Sequence, residues 1–167
     1  MVVAYVGLGA NLGDPRQQLR AGLAALAELP RTHLAACSSL YRSAPVGVAA
    51  QPDFFNAVCA IETALPAIEL MQRLLEIEAR LGRVRGANKG EPRTLDLDLL
   101  LYGSTAIATP ELTLPHPRLH QRAFVLLPLA EIAPGIEIPG HGPLPPLLRA
   151  CATQQVQRLE NDKIAPQ

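Results

Sequence analysis

Asp96 and Asp98 stand two residues apart in the run Arg93-Thr94-Leu95-Asp96-Leu97-Asp98-Leu99-Leu100-Leu101-Tyr102. The alternation of polar and apolar residues is that of a β-strand, whose successive side chains point to opposite faces. It predicts Thr94, Asp96, Asp98 and Leu100 on one face and Leu95, Leu97, Leu99 and Leu101 on the other. The leucine face belongs in a core. The other face presents two carboxylates whose Cα atoms lie roughly 7 Å apart at strand rise. Immediately upstream, the turn-rich stretch from Gly82 to Pro92 carries Arg83, Arg85 and Lys89.

Paired carboxylates beside a cationic loop suit a magnesium-bound polyphosphate. Mg²⁺ takes oxygen ligands and is commonly held by one or two carboxylates together with substrate phosphates. Two such ions can clamp both ends of a displacement at phosphorus, and arginines neutralise charge on the transferred group through forked donors. An isolated Asp-X-Asp is more often a solvated strand face, and scattered arginines a solvated loop. The leucine strand, the three cations and Pro92 at the junction favour the functional reading. Two other classes compete: a nucleotide-sugar transferase, which would need a parallel Rossmann-like sheet, and a non-catalytic ferredoxin-like module that binds a nucleotide or RNA.

The elements that must position these residues are legible along the chain. Val2 to Leu8 reads as a buried strand ending at Gly7 and Gly9. Asn11, Gly13, Asp14 and Pro15 form a turn and a helix start, with Asp14 as N-cap and Pro15 at the first helical position. Leu19, Leu23, Leu26 and Leu29 then recur at helical spacing up to Pro30. The turn lacks a dinucleotide fingerprint and a Walker lysine. His33 to Tyr41 reads as a second strand, followed by a loop with Pro45, Gly47 and Pro52. Phe54 to Thr63 reads as a third, with Phe54, Asn56 and Val58 on one face. Leu70, Leu74, Ile77 and Leu81 mark a second amphipathic helix between Pro66 and Gly82.

That order is β-α-β-β-α-β, the split βαβ pattern of an α+β, ferredoxin-like fold with an antiparallel sheet. Its helices are expected on one sheet face, leaving the other for a site or further elements. The chain reads as one domain over residues 1–167: a core to about 103, an appended subregion from 104 to about 152, and a polar tail from 153 expected to fray. Within the subregion a short strand is expected at Leu112 to Leu114, a helical piece from Arg118 to Leu129 and a last short helix near Leu147.

Composition narrows the function. Fifteen basic and fifteen acidic residues cancel, and Trp is absent; a nucleic-acid binder shows a basic stripe or stacking aromatics instead, so no nucleic-acid partner is expected. Three cysteines without metal-ligand spacing fit buried free thiols in a reducing compartment. The longest apolar run, Ala123 to Ala130, is too short to span a bilayer, and the start of the chain shows no charged leader. A cytoplasmic monomer without membrane contact is the expectation. Asn56, with an amide donor and acceptor together, suits a heterocycle with amide-like edges, although spacing alone slightly favours a cross-strand or turn amide. His116 and His120 stand four apart, but Pro117 disfavours helical geometry at His116, so they are not read as a metal pair.

Several segments in order resemble the 6-hydroxymethyl-7,8-dihydropterin pyrophosphokinase family. They are Ala4-Tyr5 through Gly9-Ala10-Asn11-Leu12, Ser39-Leu40-Tyr41-Arg42, Gln51-Pro52-Asp53-Phe54-Phe55-Asn56 and Leu81-Gly82-Arg83-Val84-Arg85. Pro92-Arg93-Thr94-Leu95-Asp96-Leu97-Asp98, Pro115-His116-Pro117 and Arg122-Ala123-Phe124 complete the set. The resemblance implies transfer of pyrophosphate from ATP to a pterin hydroxymethyl group. It implies that Asp96 and Asp98 hold two Mg²⁺ ions and that Arg83 and Arg93 stabilise the transferring group. Arg85, Thr113, His116 and Arg122 would contact ATP together with Arg83 and Arg93. Phe54 and Phe124 would sandwich the pterin, Asn56 would read its amide-like edge, and backbone groups of Ser43, Ala44 and Val46 would complete the pocket. The loop from Gly82 to Pro92, with three glycines and little to bury, is expected to be mobile without ligands and to close over ATP. Lys89, Gly90, Leu75 and Glu111 depart from residues frequent in the family, and Phe54 replaces a frequent Tyr.

Overall fold

A computed structural model describes residues 1–44, 52–81 and 95–163. Asp14 and Pro15 open the first helix, α1 (Pro15–Ala27), where the Asp14 side chain accepts the Gln17 N–H at 3.2 Å. This satisfies one of the donors that a helix start leaves open. The strand before it, β1 (Val2–Ala10), runs through Gly7 and Gly9 rather than ending at them. After α1 come β2 (Thr32–Cys37), β3 (Ser39–Ser43) and β4 (Phe54–Thr63), then α2 (Ala67–Leu81) and β5 (Asp96–Tyr102). Glu69 in the first turn of α2 and Arg80 in its last complement the helix dipole.

The strand expected from His33 to Tyr41 is divided at Ser38. Cys37 faces Cys59 and Tyr41 faces Asn56, so Ser38–Leu40 oppose only Ala57 and Val58. The extra residue makes a bulge. Ser38 donates its N–H to Val58 O at 2.9 Å, and its hydroxyl accepts the Val58 N–H at 3.0 Å. Side chain and backbone together close the gap in the ladder.

Among the described residues the main sheet has six strands in the order β10-β3-β4-β1-β5, with β2 also on β4, where β10 is Val156–Lys163. All its pairings are antiparallel. The interleaving of β1-α1-β2 with β4-α2-β5 is the ferredoxin-like arrangement expected from the element order.

The alternation in β5 changes partway. Tyr5 faces Leu101 and Val6 faces Leu99, so Leu100 is an inserted residue. Leu95, Leu97 and Leu99 pack with α1 and α2, whereas Leu100 and Leu101 both belong to the core on the other face. The expectation that Leu101 shares a face with Leu95 to Leu99 is thus overturned by the bulge. It turns Tyr102 back to the α1/α2 side, where its hydroxyl donates to Leu65 O at 2.6 Å.

The second face is covered by the subregion: β6 (Ile107–Ala108), β7 (Thr113–Leu114), a 3-10 turn (Leu119–Gln121), α3 (Ala123–Ile132), β8 (Glu137–Ile138), β9 (Gly142–Pro143) and α4 (Leu144–Ala150). The helical piece expected from Arg118 is interrupted because Arg122 is extended, at φ −119 and ψ 108. Val58, Leu100, Leu101, Leu126, Leu129 and Leu144 form the second core. The sheet is therefore sandwiched between two helical layers. Cys37, Cys59 and Cys151 are free; burial pushes the Cys37 thiol up to about 12 and raises Cys59 further, as for packing residues. No helix among the described residues is long and apolar enough to cross a membrane.

The tail expected to fray instead forms β10 against β3. Its alternating charges hid it, although charged residues are what protects an edge strand. Glu131 on α3 ties this edge down. It accepts the Ser39 N–H at 2.8 Å, the Ser39 hydroxyl at 3.1 Å and the Tyr41 hydroxyl at 2.7 Å, and pairs with Arg158 at 3.6 Å. Glu131→Ala strands these donors and is expected to destabilise the fold by about 2–3 kcal/mol in urea titration; a loss below ~0.5 kcal/mol would contradict this account.

Candidate active site

The centre of the sheet's second face is floored by glycine. Gly9 is flanked by Asn56 on β4 and Asp96 on β5, and Gly7 by Val58 and Asp98. Directly opposed residues share a face, so Asn56-Gly9-Asp96 and Val58-Gly7-Asp98 form two rows across three strands. At ordinary strand spacing the outer members of a row are roughly 10 Å apart. A Cβ on Gly9 would lie 3.1 Å from Asn56 Oδ1. The missing side chain at Gly9 leaves room between the Asn56 amide and the Asp96 carboxylate, whereas Leu100 packs over Gly7 beside Asp98.

Asp96 and Asp98 are half-buried, as the strand reading requires. Behind them lies Glu78 of α2, only 3% exposed. Its Oε2 accepts the Leu97 N–H at 3.0 Å. Burial pushes its carboxyl up to about 7 against the pull of that N–H, with further upward contributions from a side-chain hydrogen bond with Asp96 and the charges of Asp96 and Asp98.

Cations border the carboxylates from the other side. His116 donates its N–H to Leu100 O at 2.9 Å, which fastens the Pro115–Arg118 loop to β5, and its Nδ1 accepts the Arg118 N–H at 3.2 Å. Burial lowers the His116 imidazole, and the charges of Arg122 and Arg118 lower it further. Arg122 caps the start of α3, with its guanidinium 5.4 Å from the Phe124 ring centre. Burial lowers its affinity for its proton, while Asp98 and Asp96 act the opposite way. Asp96, Asp98, His116, Arg118 and Arg122 thus share one electrostatic neighbourhood.

Asn56 is 6% exposed and donates from Nδ2 to Ser43 Oγ at 3.1 Å. This is the cross-strand bond that the sequence left open as an alternative, and it orients the amide beside Gly9. Phe54 and Phe124 are partly buried, and Ala44 is exposed. Thr113 is exposed on β7. Leu75 and Glu111 are also exposed. Arg83, Arg85, Lys89, Gly90, Arg93, Thr94 and Val46, with the loop expected to close over ATP, lie outside the described residues.

The 7,8-dihydro-6-hydroxymethylpterin-pyrophosphokinase (HPPK) profile matches residues 5–134. The chain belongs to this family. A Pseudomonas aeruginosa protein named 2-amino-4-hydroxy-6-hydroxymethyldihydropteridine pyrophosphokinase is 48% identical over 93% of this chain and 95% of its own length. A Haemophilus influenzae protein of the same name is 45% identical over 95% and 99%. The crystal structure of a Plasmodium falciparum HPPK-DHPS triple mutant superposes with a TM-score of 0.67 at 12% identity, over 89% of this chain and 43% of the other. At that identity it speaks to the fold alone, and the chain spans less than half of that structure.

The sequence reading missed Glu78 and Arg118 as neighbours of the aspartates and His116. Glu78 was detectable, since it lies four residues after Leu74 on the apolar stripe of α2, where an ionisable residue needs a reason. Arg118 left no such sign; only the turn after Pro117 folds it back on His116. Because the fold holds His116 in its neutral form, that contribution to stability is complete above the ordinary value of 6.5 and is lost as the pH falls below it. Arg118→Ala is expected to raise the His116 midpoint in an NMR titration; an unchanged or lower midpoint would contradict the shared neighbourhood.

Proposed function

We propose that the chain transfers pyrophosphate from ATP to the hydroxymethyl group of 6-hydroxymethyl-7,8-dihydropterin, giving AMP and the pterin diphosphate. The supporting observation is the glycine-floored gap with an oriented amide at one end and two carboxylates, faced by Arg122, at the other. The antiparallel sheet speaks against a nucleotide-sugar transferase of Rossmann type.

The donor set suits Mg²⁺ held jointly with a substrate. Asp96 and Asp98 offer hard oxygens on one face, and among the described residues no cluster of three or more His, Cys, Asp or Glu could hold a metal without further ligands. When bound, two Mg²⁺ ions would supply charge neutralisation and polarisation of the phosphates. The residues of the chain do the rest. Asn56 reads the amide-like edge of the pterin, Phe54 and Phe124 offer ring faces, and Ser43, Ala44 and Val46 complete that pocket through backbone groups. Arg122, Thr113 and His116 contact the nucleotide, with Arg83, Arg85 and Arg93 joining from the loop. His116, neutral at pH 7, serves as a hydrogen-bonding group.

In the reaction, the hydroxymethyl oxygen forms a bond to the β-phosphorus of ATP. The bond from that phosphorus to the oxygen bridging α and β breaks, and AMP leaves with the bridging oxygen. The alcohol proton passes to the Asp98 carboxylate and from there to solvent. Catalysis by positioning and fixed charge is sufficient for such a displacement.

With γ-labelled ATP, chromatography is expected to show AMP in stoichiometric yield and the label on the pterin diphosphate. ADP with a pterin monophosphate would refute the proposal. Asp96→Asn and Asp98→Asn are each expected to lower turnover by about two orders of magnitude or more while the circular-dichroism melt stays close to that of the parent. Near-normal rates in both variants at saturating Mg²⁺ would remove the metal assignment. Gly9→Ala, which pushes a methyl group toward Asn56, is expected to weaken pterin binding about tenfold in calorimetry; unchanged affinity would mean that the gap is not the pterin pocket.

A further inference from the structure

Glu78 is an anomaly in its helix. Leu70, Leu74 and Ile77 line the buried side of α2, and Glu78 completes the same stripe at 3% exposure. A leucine would pack there without burying a polar group, whereas a buried carboxyl must find partners. It finds them at the open edge of the sheet. β5 ends the strand order among the described residues, and an edge strand carries N–H groups that no neighbouring strand receives. Glu78 Oε2 takes the Leu97 N–H at 3.0 Å, the peptide group between Asp96 and Asp98. The Asp96 and Asp98 carboxylates are near enough for their charges to act on this carboxyl.

We infer that Glu78 is a positioning residue for the cation-binding pair: from behind β5 its carboxyl group fixes the Asp96-Leu97-Asp98 backbone. The inference rests on the proposed reading of Asp96 and Asp98 as cation ligands. That hydrogen bond sets the backbone that spaces the two carboxylates, with Glu78 as the acceptor of the Leu97 N–H. Glutamine keeps this function through its amide carbonyl. Leucine does not. Partners standing behind metal ligands commonly change cation affinity when removed.

The test compares Glu78→Leu and Glu78→Gln with the parent in three measurements: Mn²⁺ binding by electron paramagnetic resonance with a non-hydrolysable ATP analogue, turnover as a function of Mg²⁺, and the melting temperature. Glu78→Leu is expected to melt no lower than the parent, yet to need about tenfold more cation for half-saturation in both binding and turnover. Glu78→Gln is expected to stay within about threefold of the parent, a rescue that a purely space-filling role would not produce. Parent-like cation binding in Glu78→Leu overturns the inference. So does equal impairment of both variants, which would make Glu78 a charged ligand instead. If Glu78→Leu does not fold, Mn²⁺ binding by Glu78→Gln still decides, because a loss beyond about tenfold is incompatible with positioning. Parent protein that binds Mn²⁺ with the analogue but transfers no pyrophosphate would sink the proposed function and leave the positioning role standing.

Discussion

The register between β1 and β5 is the constraint on which the site depends. With Gly9 opposite Asp96 and Gly7 opposite Asp98, both carboxylates face the open gap and Leu95, Leu97 and Leu99 face α1 and α2. A slip of one residue would bury two carboxylates and expose three leucines, because side chains alternate with a period of two. Burial of the leucines therefore fixes where the carboxylates point. The inserted Leu100 confines this alternation to the part of β5 that serves the site. Beyond it, Leu100 and Leu101 both anchor the layer formed by α3 and α4.

That layer gives the site its cations. Arg122 stands at the N-terminus of α3, and the anchor between His116 and Leu100 carries the preceding loop along the strand that bears Asp98. Docking of α3 on the second core thus sets the approach of Arg122 to the carboxylates. Glu131, the penultimate residue of α3, holds β3 through Ser39 and Tyr41. Tyr41 faces Asn56 across the ladder. One helix consequently braces the amide end of the gap and supplies charge at the other end.

The βαββαβ order, the capped helix and the paired aspartates were legible because each rests on a local pattern: Asp14-Pro15, leucines at helical spacing, and alternation around Asp96. The strand break at Ser38 and the inserted Leu100 were not. Both are decided by cross-strand register, which has no local signature in residues that suit strands equally well on either face. The final strand was hidden for another reason. Val156 to Lys163 is stabilised by β3 and by the Arg158 contact with Glu131 rather than by its own hydrophobicity. The proximity of Arg122 and His116 to the aspartates arises only from docking across distant segments, so it was expected through resemblance and not through spacing, and Arg118 was not expected at all.

Where local rules are broken, the breaks converge. Glycine weakens a strand interior, yet Gly7 and Gly9 sit in β1, between β4 and β5, at the rows of Asp98 and Asp96. A carboxyl group is disfavoured among leucines, yet Glu78 sits there, directly behind those aspartates. Just past the C-terminal end of β1, two residues beyond Gly9, Asn11 is 2% exposed and neither polar atom of its side chain has a hydrogen-bond partner among the described residues. An orphaned buried amide is costly, and a fold selected for stability alone would replace it. Elsewhere the breaks are scattered: Pro128 lies inside α3, and the buried His120 Nδ1 has no hydrogen-bond partner among the described residues. Around the aspartates they accumulate in one short stretch, where the chain has concentrated its cost. In this chain that stretch is the end of β1 and the start of β5, where the carboxylates and the gap meet.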